Sequence, residues 1–188
     1  MEGKVLIVCA PSGTGKSTII HRLQERGLEF HFSISATSRP PRGGEQDGRE
    51  YFFKTEEEFR RLIAEDAFIE YEEVYAGQFY GTLKAQVEAS LAEGKHIVFD
   101  VDVHGGLRIK EYFGDRALSL FILPPSIEAL RERLIARATE PMEKIEMRLA
   151  RAEYEVSRAP EFDRQLVNDN LDVAAAEAYT IVSEFLKG

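Results

Sequence analysis

The chain has 188 residues, with 24 lysines and arginines against 33 aspartates and glutamates and a formal net charge of −9. That acidic balance argues against a general nucleic-acid binder, whose affinity rests on neutralising backbone phosphates, so any phosphate chemistry here needs a local cluster of cations. Charged residues at 30% and hydrophobic ones at 44% describe an ordinary globular protein, one large domain or a core with small inserts. No apolar run is long enough to span a bilayer and "MEGK" lacks the regions of a signal peptide, so no membrane contact and a cytoplasmic location are expected. Cys9 is the single cysteine, which rules out an intrachain disulfide, and its place at the end of an apolar run favours packing over reactivity. His21, His31, His96 and His104 are scattered without metal-ligand spacing.

In chain order, the first element is "VLIVCAPSGTGKSTII". Val5 to Val8 have the composition of a strand buried on both faces, and Ser17 to Leu23 read as the first turns of a helix. Between them the pattern GxxxxGK[ST] is matched at every fixed position but the first, where Ala10 replaces glycine. Strand, glycine-rich loop and helix make a phosphate cradle, because helix-initial N–H groups lack intrahelical partners and sit at the positive end of the macrodipole. Gly13 and Gly15 would let the backbone approach the anion, Lys16 would reach the β- and γ-phosphates, and the Ser17 hydroxyl would ligate Mg²⁺. Alanine at position 10 is tolerated unless that residue needs φ > 0, which the end of a strand does not usually require. A chance Gly/Ser turn is the plain alternative.

Further strand-like runs fall at residues 30 to 34, 96 to 101, 117 to 123 and 164 to 167, and the first spans 4 to 9. With helical patterns between several of them, they predict a parallel sheet covered by helices, with ligands gathered at the strand C-termini.

Residues 35 to 82 stand outside this alternation and predict a small mixed α/β insert. Within "SATSRPPRGGE", Arg39 and Arg42 flank two prolines that stiffen the segment, which suits two guanidinium forks to one phosphate; a solvated basic loop is the alternative. "TEEEF" predicts a helix with Thr55 and Glu58 as a capping box. Tyr51, Tyr80 and Thr82 add hydroxyl donors. Glu70 is either a solvated strand residue or a carboxylate offered to the paired N–H donors of guanine, which adenine lacks.

"HIVFDVD" ends a predicted strand with Asp100 and Asp102 two apart, hence on one face. They either hold Mg²⁺ or its waters or merely bound the strand. Residues 126 to 159 read as two helices broken at "ATEP", where Thr139 and Pro141 stop the first and start the next. Leu130 and Leu134 give the first an apolar stripe, and Ile145, Leu149 and Val156 the second. Arg133 and Arg137, and Arg148 and Arg151, lie at helical spacing among glutamates, so surface salt bridges are their default reading.

Taken together, "APSGTGKST", "SATSRPPRGGEQDGREYFF", "FIEYEEV…GQFYGT", "DVDVHGG", "RLIAR" with "EMRLARAEYE", and "LVNDN" resemble, in this order, the motifs of a guanylate kinase of the nucleoside monophosphate kinase group. The resemblance implies an α/β fold: a parallel-sheet core of residues 1–33, 83–125 and 158–188, a GMP-binding insert of 34–82 and a helical lid of 126–157. It implies Mg²⁺-dependent transfer of the ATP γ-phosphoryl group to GMP, with dGMP as a second acceptor and no obligate protein partner. Ala10, Pro11, Ser12, Gly13, Thr14, Gly15, Lys16, Ser17 and Thr18 would bind ATP, with Arg133 assisting and Asn168 near the adenine. Arg39, Arg42, Tyr51 and Tyr80 would bind the GMP phosphate, and Ser35, Glu70 and Thr82 would read guanine, supported by Glu45 and Asp100. Arg137 and Arg148 would fold over the transferring phosphoryl group, and Ser17, Asp100 and Asp102 would serve the metal.

This sequence departs from the family's pattern at Ala10, at Ala138 after Arg137, in a longer "VYAGQFYGT" loop and at Arg164. Two other readings carry their own discriminators. Another small-acceptor phosphotransferase would differ in acceptor profile, and a non-catalytic guanylate-kinase-like interaction module would not be stabilised by nucleotides.

Overall fold

The computed structural model describes residues 2–136 and 141–188. From the N-terminus it contains β1 (Val5–Cys9), α1 (Lys16–Glu25), β2 (His31–Phe32), β3 (Ala36–Thr37), β4 (Phe52–Phe53) and α2 (Glu56–Ala64). There follow β5 (Phe68–Tyr75), β6 (Gln78–Leu83), α3 (Lys84–Ala92), β7 (Ile97–Asp100), α4 (Val103–Phe113) and β8 (Ala117–Leu123). The C-terminal elements are α5 (Ile127–Ala136), α6 (Met142–Ser157), β9 (Arg164–Val167) and α7 (Leu171–Lys187). Five strands form a sheet in the order β2-β7-β1-β8-β9, and four form a mixed sheet in the order β4-β3-β6-β5.

The chain divides into two compact units, one of Met1–Lys4 with His31–Val98 and one of Val5–Phe30 with Phe99–Gly188. In the second unit β1 pairs in parallel with β8, from Val5 opposite Ala117 to Cys9 opposite Phe121, and β8 pairs in parallel with β9. Every residue of β1 is buried, as expected of a strand covered on both faces. Helix α1 turns Ile19, Ile20 and Leu23 inward, and α7 turns Ala174, Ala175, Ala178 and Val182 inward, small side chains that allow close packing. Burying each large aliphatic side chain contributes about 1.5–3 kcal/mol. The Cys9 thiol is fully buried, donates to the Asp102 carbonyl at 3.3 Å, and is pushed to a high pKa chiefly by that burial. A Cβ at Gly106 would lie 2.6 Å from the Cys9 sulfur, so only glycine lets α4 pass this close.

In the first unit β3 pairs in parallel with β4 and antiparallel with β6, which also pairs antiparallel with β5. Its core is Phe59 stacked between Phe68 at 4.4 Å and Phe79 at 5.3 Å, with Ala36 beside them. Phe59 is presented by α2, whose N-terminus carries the expected capping box: Thr55 accepts from the Glu58 N–H, and Glu58 accepts from the Thr55 N–H. Strands β2 and β7 pair in parallel through His31 with Ile97 and Phe32 with Val98.

Three local expectations need correction. The strand expected over 30 to 34 is only His31–Phe32, because it pairs on one side alone and Phe32 is exposed. The strand expected to run through Asp102 stops at Asp100, and Asp102 is the N-cap of α4, its Oδ1 accepting from the Gly105 N–H at 2.9 Å. In α6 the buried residues are Ile145, Leu149, Ala152 and Glu155, with Val156 only half-buried, so a carboxylate lies where an apolar residue was expected. Pro141 is the N-cap of α6, while Arg137, Ala138 and Thr139 lie outside the described residues.

Candidate active site

The loop after β1 leads into α1 through Gly15, whose φ of 96° is the left-handed conformation at the helix N-cap. A Cβ there would come within 2.6 Å of the Asn168 side-chain nitrogen, and one at Gly13, with φ +91°, would meet Leu134 and Leu130 of α5 at 3.1 and 3.2 Å. Both glycines are therefore required by backbone conformation and by close approach. Ala10 carries no such demand, since the only non-glycine with positive φ among the described residues is Asp66.

Two polar contacts brace the loop from below. The Thr14 N–H donates to the Pro11 carbonyl at 3.1 Å, and the Asn168 side-chain amide donates to the Thr14 carbonyl at 2.7 Å. Asn168 follows β9, is buried, and accepts at its own carbonyl from Arg133 Nη2 at 3.1 Å. Its side chain thus fixes the loop.

Lys16 Nζ sits 2.5 Å from Asp100 Oδ1 and 3.4 Å from the Val101 carbonyl, which holds the ammonium at the end of β7. Around it lies a cavity of about 530 Å³ lined by the loop residues from Ala10 to Gly13, by Gly15 to Thr18, by Asp100 and Asp102, and by Arg148, Arg151 and Glu155 of α6. Arg151 and Glu155 were not expected in it. Arg151 Nε donates to Glu155 Oε1 at 2.9 Å, and its Nη2 lies 3.4 Å from Asp102 Oδ2. The signal for Glu155 was its place on the buried stripe of α6.

The donors here are hard oxygens, which suits Mg²⁺ rather than a softer metal. Among the described residues no group of three or more acidic, histidine or cysteine side chains could hold a metal alone, so phosphate oxygens and waters would have to complete any shell. Ser17 and Asp100 fit that role. Asp102 fits it less well, because one oxygen caps α4 and the other faces Arg151.

The first unit holds a second constellation. Arg39 is buried: Nη1 and Nη2 donate to Glu45 Oε2 and Oε1 at 2.7 and 2.8 Å, Nη1 also to the Pro40 carbonyl at 3.0 Å, and Nε to the Tyr80 hydroxyl at 3.1 Å. Four of its five N–H groups are thereby engaged. The Tyr51 ring lies 4.9 Å from its guanidinium carbon. Glu45 also accepts from the Arg42 N–H at 2.8 Å, and the Arg39 hydrogen bonds, with this backbone bond second, hold its carboxyl down at about 2. Arg39 is therefore a fixed post, while the Arg42 side chain is exposed. Across the β5–β6 ladder Glu70 faces Thr82, and the buried Thr82 hydroxyl donates to Glu70 Oε1 at 2.6 Å. Ser35 is half-buried beside β3 and gives its carbonyl to the Phe52 N–H at 2.9 Å.

The guanylate kinase family model matches residues 2–187. A guanylate kinase of Bacteroides fragilis is 60% identical over 185 residues, 98% of this chain and 91% of that protein. A guanylate kinase of Porphyromonas gingivalis is 55% identical over 184 residues, 97% of this chain and 98% of that protein. The crystal structure of a guanylate kinase from Anaplasma phagocytophilum superposes with a TM-score of 0.69 at 29% identity, covering 100% of this chain and 88% of that one.

Proposed function

We infer that this chain, which belongs to the guanylate kinase family and phosphorylates GMP with ATP, does so by alignment and charge stabilisation, without a general base. The acceptor is a phosphate monoester whose second pKa is about 6, so its oxygen is already largely ionised at neutral pH. The obstacle is repulsion between anions: two unit charges 4 Å apart cost about 4 kcal/mol at an effective dielectric near 20. The observation that carries the reading is Lys16, fixed by Asp100 and Val101 at the mouth of a cradle that Arg148 also lines.

In this mechanism the backbone from Ala10 to Thr18 binds the ATP phosphates, Lys16 stabilises the charge that develops in transfer, and Arg148 with Arg137 and Arg133 serves the phosphoryl group. Ser17 and Asp100 would hold Mg²⁺, which would supply charge to neutralise the phosphates. Arg39, Arg42, Tyr51 and Tyr80 bind the GMP phosphate; Ser35, Glu70 and Thr82 read the base, with Glu45 holding Arg39. dGMP, which carries the same base and phosphate, is a second acceptor. Asn168 acts on the donor through Thr14.

The core, insert and lid are residues 1–33 with 83–125 and 158–188, 34–82, and 126–157. The cytoplasm is the proposed location; no helix among the described residues is long and apolar enough to cross a membrane.

The test is ADP formation with Mg-ATP and, separately, GMP, dGMP, AMP, CMP, UMP or no acceptor. Turnover confined to GMP and dGMP is expected, with none in Lys16→Ala beyond about a hundredth of the parent rate. Equal turnover with AMP would overturn the assignment of Glu70 and Thr82.

A further inference from the structure

The pair Arg151–Glu155 is an expensive way to decorate a helix. Glu155 is buried, with a side-chain exposure of 10%, and a carboxylate in that position carries a desolvation penalty that a lone surface pair would avoid. The order of the two residues is also the poorer one: an acid preceding a base by four positions supports a helix better than a base preceding an acid. Helix stability therefore does not account for the arrangement. Its surroundings do, because both residues line the cavity that also holds Lys16, Arg148, Asp100 and Asp102.

Within that cavity each described carboxylate is matched to a cation. Asp100 is on Lys16, while Glu155 and Asp102 converge on one guanidinium, at 2.9 and 3.4 Å. We propose that Arg151 is a positioning residue that masks Glu155 and Asp102, so that a nucleoside polyphosphate entering the cradle meets a wall of no net negative charge. The assignment rests on the reading of this cavity as the donor site. Arg151 acts there through the carboxylates and needs no contact with the phosphates. Removing it would leave a nearly buried acid and the outer oxygen of Asp102 facing an anion, and at short range in a partly enclosed site that repulsion is felt strongly.

The test is titration of ADP into the parent protein and into Arg151→Ala, Arg151→Lys, Glu155→Gln and the double variant Arg151→Ala with Glu155→Gln, at low and high salt. The expected Arg151→Ala result is about a tenfold weaker Kd at low salt, with the loss shrinking at high salt as screening grows. Arg151→Lys retains most of the affinity, Glu155→Gln binds at least as tightly as the parent, and the double variant recovers to within about threefold of it. The KM for GMP stays within about twofold of the parent in every variant, which a general collapse of α6 would not allow. An Arg151→Ala loss that Glu155→Gln fails to recover would overturn masking in favour of direct phosphate contact. No loss in Arg151→Ala would overturn it outright. If the parent itself does not bind ADP, the reading of the cavity falls, and the masking role falls with it.

Discussion

Asn168 and Thr14 are joined by a buried hydrogen bond of 2.7 Å between residues 154 positions apart, so the segment after β9 holds the glycine-rich loop that follows β1. Replacing Asn168 by alanine leaves the Thr14 carbonyl without this donor, a loss of about 1–3 kcal/mol. Because a domain of this size loses roughly 2–4 °C per kcal/mol, Tm should fall by several degrees. Asn168→Asp should be worse, since it sets a carboxylate oxygen against that carbonyl. Calorimetric melts with and without ADP check both, and a larger loss of ADP stabilisation in Asn168→Asp is expected.

Gly15→Ala should abolish nucleotide binding. Its backbone φ of 96° disfavours any side chain, and the new methyl would lie 2.6 Å from the Asn168 amide. Ala10→Gly differs, because Ala10 has no positive φ; added freedom in the unfolded chain should lower stability by about 0.5–1 kcal/mol, read from a denaturant melt.

The Glu45 carboxyl, held at about 2 against a usual 4.5, makes the first unit sensitive to acid. A carboxyl with a depressed folded-state pKa stabilises the fold fully above its unfolded value and loses that contribution as pH falls through the folded one. The Arg39–Glu45 contribution is thus complete above about pH 4.5 and lost toward pH 2. Glu45→Gln should remove this part of the pH dependence. An NMR titration of the Glu45 side chain with a midpoint near 4.5 would show that the pair does not form.

Glu70→Ala should weaken GMP about tenfold to a hundredfold and reduce discrimination against other bases, because a hydrogen bond to a charged group is worth about 1.5–3 kcal/mol. The checks are KM for GMP and relative turnover with AMP. The KM for ATP should stay near the parent value.

Arg148→Ala should lower kcat by a hundredfold or more while KM for GMP changes little, the pattern of a group that acts mainly as charge develops. Arg137→Ala should behave alike. Single-turnover kinetics separate this from slow product release.

Strands β1 and β8 were legible because buried parallel strands are written as short apolar runs, and α2 because Thr55 and Glu58 form a local signature. The loop glycines were legible as a turn into a helix for the same reason: the pattern that marks them is local. Asp102 was misplaced because a spacing of two fits a strand tail as well as a strand end followed by a helix cap, although an acid before "VHGGLRIKEYF" was the available cap signal. Glu155 had a local signal in the buried stripe of α6, whereas the link of Arg151 to Asp102 and the bracing role of Asn168 had none. Glu155 is paired within its helix by Arg151, whose other contact, Asp102, lies 49 positions away, and Asn168 is explained by Thr14, 154 positions away.

Cys9 gives the molecule a built-in reporter. Its thiol is the only one in the chain, lies wholly inside the sheet against Gly106, and is kept protonated by its surroundings. A thiol-directed dye should ignore the native protein and mark only molecules that have opened around β1, so the labelling rate counts opening events in a mixture. Added ADP should slow that rate in proportion to the fraction bound, giving a binding curve without any substitution or attached probe.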